Sequence, residues 1–89
     1  MTSHNPAGYY GLQLPQNFET EILQLGYFEL VETVHEMIYS ITPNGETFPS
    51  FEHLFPESES YYHDLSFEPR ISLIRWIAEI LSTKFNAQS

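Results

Sequence analysis

The groups able to ligate a metal or carry a proton in this 89-residue chain are its four histidines and twelve carboxylates; it has no cysteine. Disulfides, thiolate nucleophiles, cysteine-bound zinc and iron–sulfur clusters are therefore excluded. Glu32-Thr33-Val34-His35 has the Glu-x-x-His spacing that sends two ligands into the di-iron site of a helical bundle. Such a site needs a second motif and further inward glutamates, which only a second copy would supply. On a helical wheel Glu32 falls within a polar face, and His35 lies beside Phe28 and Tyr39. The pair reads as a solvated glutamate and a boundary histidine. His35-Glu36 is half of the His-Glu-x-x-His zinc signature, but position 39 is tyrosine and the signature fails. His53, His63 and Asp64 share one aromatic segment with a spacing that fixes no coordination geometry. The sequence thus predicts neither a metal nor a cofactor. A His/Glu metal-binding protein, using His35, His53, His63 and nearby acids, is kept as an alternative.

Nucleophilic and phosphate chemistry have no foothold. The glycines stand apart at 8, 11, 26 and 45, so no phosphate-cradling loop exists. No Ser-x-x-Lys or Gly-x-Ser-x-Gly setting occurs. The expectation is a protein that is not an enzyme. A formal net charge of −9 argues against a phosphate-backbone binder, which needs a Lys/Arg footprint. A hydrophobic content of 42% is too high for a disordered acidic tail.

The elements that must position these groups read as helical. Residues 1–16, broken by Pro6, Gly8, Gly11 and Pro15, predict a flexible N-terminal arm, with Tyr9, Tyr10, Leu12 and Leu14 available to tether it. Residues 17–89 predict a single helical domain. Asn17 is the expected cap of a long helix over about 17–41, with Glu19 and Glu21 in its first turn. Tyr27, Leu30, Val31, Val34, Met37, Ile38 and Ile41 form one face, opposed by Glu29, Glu32, Thr33, Glu36 and Ser40. Upstream, Phe18, Ile22 and Leu25 are out of that phase, so the helix is expected to bend or break near Gly26. Thr42-Pro43-Asn44-Gly45 ends it. Within 42–69, rich in proline, aromatics and acids, short helical turns are predicted over 48–63: one capped by Ser50, another started by Pro56.

The last helix, about 67–86, carries Ile71, Ile74, Ile77, Ala78, Leu81 and Phe85 on one side, and Leu73, Trp76 and Ile80 extend that side further round. Only Ser72, Arg75, Glu79, Ser82 and Thr83 form a polar strip, so the helix is expected to be covered on nearly all sides. A surface helix shows a narrower apolar stripe. Burial of each large side chain is worth roughly 1.5–3 kcal/mol, so a second copy is the expected cover, with the aromatic segment 42–69 folding across the second face as the alternative. The predicted homodimer interface is Leu73, Trp76, Ile77, Ile80 and Leu81.

All three bases, Arg70, Arg75 and Lys84, fall after residue 69, leaving an acidic body. With surplus apolar surface and no catalytic constellation, the sequence points to a small acidic interaction module, an adaptor or regulator. It would bind a protein partner through Glu29, Glu32, Glu36, Tyr61 and Tyr62, with no direct nucleic-acid or membrane binding. A second alternative is a nucleic-acid-mimicking inhibitor whose spaced carboxylates occupy a basic DNA- or RNA-binding cleft. With no signal-like or membrane-length apolar run, a cytoplasmic location is expected.

Overall fold

The computed structural model describes residues 11–43 and 50–88, with side chains through residue 86. The fold is all-helical: α1 (Gln16–Gln24), α2 (Tyr27–Ser40), α3 (Pro56–His63) and α4 (Phe67–Gln88). No described helix is long and apolar enough to cross a membrane. Tyr9, Tyr10, Asn44, Gly45, Phe48 and Pro49, which figured in the expected arm, turn and first short helix, lie outside the described residues.

The predicted break falls where the two apolar phases meet. Leu25 and Gly26 are both extended, with ψ of 144° and 173°, so α1 ends and α2 restarts in a new direction. Leu25 is buried beyond Phe18 and Ile22 of α1, whereas α2 buries a stripe of its own. One straight rod would leave one of those faces in water. Gly26 is the N-cap of α2, and its N–H donates to Glu29 Oε1 at 2.9 Å, satisfying a free helix-end donor. The expected Asn17 cap is not used: α1 begins a residue earlier, after Pro15, without a side-chain cap.

The buried stripe of α2 is Leu30, Thr33, Val34, Met37 and Ser40. This corrects the expected face, for Val31 and Ile38 are exposed and the two hydroxyl residues lie inside. Local hydrogen bonding makes that possible. Thr33 Oγ1 donates to Glu29 O at 2.8 Å and Ser40 Oγ to Met37 O at 2.6 Å, so neither hydroxyl is buried unpaired. Small side chains on this face also let the large rings of other elements approach.

Pro56 occupies the first turn of α3, as anticipated, where its missing N–H costs nothing. The Ser50-capped helix does not form; residues 50–55 are an irregular strap that buries Phe51 and Leu54. Glu21 of α1 holds the entry to α3. Its carboxylate accepts the Phe55 N–H at 2.6 Å and a short hydrogen bond from the Ser58 hydroxyl.

α2 and α4 run antiparallel. Tyr27 at the start of α2 meets Phe85 near the end of α4, with ring centroids 6.0 Å apart. At the other end Arg70 lies 4.6 Å from the centroid of Tyr62, whose hydroxyl reaches Ser40. The core unites Phe18 and Ile22 of α1, Leu30 and Met37 of α2, Phe51 and Leu54 of the strap and Tyr62 of α3 with Leu73, Trp76, Ile77 and Ile80 of α4. The expected dimer interface is thereby corrected. Those four α4 residues are buried within the chain itself, and Leu81 is partly buried against the same cluster. α2 packs along α4, and the break at Gly26 lets residues of α1 join those of α2, the strap and α3 in the one cluster that encloses these side chains. Nor is α4 enclosed on nearly all sides, since Ala78 and Phe85 face solvent. Leu12 is buried and Leu14 packs on the core, so this part of the N-terminal segment lies on its own domain.

Candidate functional site

An open cleft of about 510 Å³ lies between α2 and the strap. α2 contributes Val31, Glu32, His35 and Glu36, and the strap contributes Phe51, Glu52 and His53. The buried Phe51 and Leu54 anchor the strap and so hold Glu52 and His53 over the helix. His53 Nε2 donates to Glu32 Oε1 at 2.6 Å, and one ligand-type atom from each of Glu32, Glu52 and His53 lies within 4.8 Å of the others.

The electrostatics follow from this contact. The hydrogen bond to Glu32 is the largest effect raising His53 above the ordinary histidine pKa. Loss of water around the ring opposes it, and the negative charges of Glu32, Glu29 and Glu52 reinforce it. A protonated imidazole here is a cation held by carboxylates on two elements.

The expected site residues separate into different roles. Glu32 and Glu36 line the cleft, but Glu29 spends one carboxylate oxygen on the N-cap of α2. His35 stands one helical turn from Glu32 and faces the same cleft, so the Glu-x-x-His spacing does place both residues on one surface. His63 does not join His53; its Nε2 lies 3.9 Å from Glu59 Oε2, one turn away on α3. Tyr61 is half-buried, its ring 5.0 Å from Phe18. Tyr62, expected to be exposed, is 0% accessible and therefore belongs to the core. The reason is its polar handle: the phenol finds Ser40 at 2.7 Å and the Met37 carbonyl at 3.3 Å, so the whole ring can be buried.

A second surface feature was not anticipated. The solvent face of α2 carries Phe28, Val31, Ile38 and Tyr39, with Phe28 77% exposed. At about 100° per residue these positions share one side of the helix with Glu32 and His35, opposite the buried stripe. Tyr27 stacks edge-on to Phe28 at 5.6 Å and extends the patch toward Phe85. The signal was present in the wheel, which put His35 beside Phe28 and Tyr39, but those apolar neighbours were not read as surface. Glu52 had no sequence signal as a partner of Glu32.

No known protein family, curated protein or solved structure matches the chain.

Proposed function

We propose that the protein is a small non-enzymatic interaction module, an adaptor or regulator, whose docking surface is the outer face of α2. One observation carries the reading: Phe28, Val31, Ile38 and Tyr39 are exposed on the same helical side as Glu32 and His35. Large apolar side chains grouped on a surface mark interaction sites more often than singly scattered ones. Aromatics supply the anchor contacts at such sites, and the carboxylates around them select by charge. α2 contains Glu29, Glu32 and Glu36 and no Lys or Arg, within a chain of net charge −9. The occupant that fits is a protein segment with apolar anchors flanked by lysine or arginine.

A second copy of this acidic chain would oppose charge with like charge at the same face, so the heterologous partner is preferred to a homodimer. The nucleic-acid-mimic reading is less favoured because the exposed Phe28 and Tyr39 on this face have no counterpart in a row of phosphates.

The test is quantitative partner capture from host extract, comparing wild type with Phe28→Ser/Ile38→Ser. Loss of the same partner in that variant, with helical content and melting unchanged, is the expected result. Equal capture by wild type and variant would overturn the reading. Sedimentation velocity at micromolar concentration gives a monomer if the partner is heterologous and a dimer if a second copy occupies the face.

A further inference from the structure

We propose that Glu32, Glu52 and His53, with His35 from the facing helix, form a binding site for one divalent cation of the zinc class. The site shares Glu32 and His35 with the docking face described above, but it rests on a different observation, the convergence of ligand atoms from α2 and the strap. Imidazole nitrogen and carboxylate oxygen are the donors such ions take, and the three groups already converge from two elements, with ligand atoms within 4.8 Å of one another. A tetrahedral zinc ion, with bonds of about 2.0–2.2 Å, holds its ligand atoms roughly 3.3 Å apart. His53 Nε2 and Glu32 Oε1 stand at 2.6 Å and need only separate slightly for an ion to replace the proton between them. That proton leaves to solvent, and the neutral imidazole donates its lone pair to the metal. Glu32 and Glu52 are exposed, and Glu32 already points its carboxylate at His53. His35 stands outside that three-group cluster but lines the same cleft one turn along α2, where a side-chain rotation would bring it in as the fourth donor. The mixed nitrogen–oxygen set selects against calcium and magnesium, which take oxygen ligands.

Metal binding would tie the strap at Glu52 and His53 to α2, so the ion should stabilise the folded chain as well as bind it. The experiment is isothermal titration calorimetry of the full chain with zinc chloride, paired with thermal melting. The expected result is one saturable site, a higher melting temperature with zinc, and no response to calcium or magnesium. His53→Ala and Glu52→Gln should each weaken zinc by at least about tenfold and abolish the thermal shift. Glu52 is exposed and His53 partly exposed, and circular dichroism of both variants is the check that they fold. His63→Ala, on α3, should leave the affinity unchanged. Absence of saturable zinc binding, or the same affinity in His53→Ala and Glu52→Gln, would overturn the site. Unchanged affinity in His35→Ala would overturn the fourth ligand.

Discussion

Ser40 Oγ and Tyr62 OH share a buried hydrogen bond of 2.7 Å across twenty-two residues of sequence. Ser40 closes the last turn of α2, Tyr62 lies near the end of α3, and both hydroxyls also reach the Met37 carbonyl. This contact ties α3 to α2 within the core. Removing one partner leaves a buried hydroxyl poorly paired. Ser40→Ala should therefore cost about 1–3 kcal/mol in urea unfolding, and Tyr62→Phe about 1 kcal/mol. The double variant should cost less than the sum of the two, because the pair acts as one unit.

Tyr62 also gives the protein an alkaline limit. Burial pushes its phenol above the ordinary value, against opposing effects from the Ser40 hydrogen bond and the Arg70 charge. Because the folded pKa exceeds the unfolded one, this stabilisation is complete below about pH 10 and is lost as pH rises through the folded value. Burial raises the Tyr61 phenol as well, so phenolate absorbance should show these two tyrosines titrating late, together with loss of helical signal. Tyr62→Phe should remove one of the two late titrations.

Glu21 should matter more than an ordinary surface acid. It holds the Phe55 N–H and the Ser58 hydroxyl at the N-terminus of α3, where the helix dipole also favours negative charge. Hydrogen bonds to a charged group are worth about 1.5–3 kcal/mol each, so Glu21→Ala should destabilise by at least the lower figure. Hydrogen exchange should quicken first at the start of α3.

His53 should titrate above a free histidine in chelator-treated protein, as followed by its ring proton shifts, and Glu32→Gln should return it toward the ordinary value. Since folding raises this pKa, the stability that the pair contributes is present on the acid side of the histidine range. It fades as pH rises through the folded value.

The two sides of α2 and the buried face of α4 make a direct comparison. Ile77→Ala removes a fully buried side chain and should cost about 2–5 kcal/mol, independent of protein concentration. Ile38→Ala and Val31→Ala lie at the surface and should fall within about 0.5 kcal/mol of wild type. Concentration-dependent melting in the wild type would show that α4 or α2 meets a second copy.

Much of the helical plan was legible in local chemistry. The change of apolar phase around Gly26 announced the break, Pro56 marked the start of α3, and the dense apolar run after Pro69 marked α4 as core. Such features depend on neighbours within about four residues, which is the reach of a helical hydrogen bond. The rotation of α2 was not legible. Apolarity favoured Val31 and Ile38 for the interior, but packing chose Thr33 and Ser40, whose hydroxyls are satisfied and whose small volume admits rings from elsewhere. The burial of Leu73, Trp76 and Ile80 was foreseen, but a second copy was preferred to the middle segment as the cover, whereas Phe51, Leu54 and Tyr62 of that segment join the same core. The meeting of Glu32 with His53 likewise spans twenty-one residues and follows from where Phe51 and Leu54 anchor the strap. Helix formation is governed by short-range bonding and is written along the chain. The choice of which faces meet, and so which carboxylate finds which histidine, is made by volume and hydrogen-bond satisfaction in the closed core.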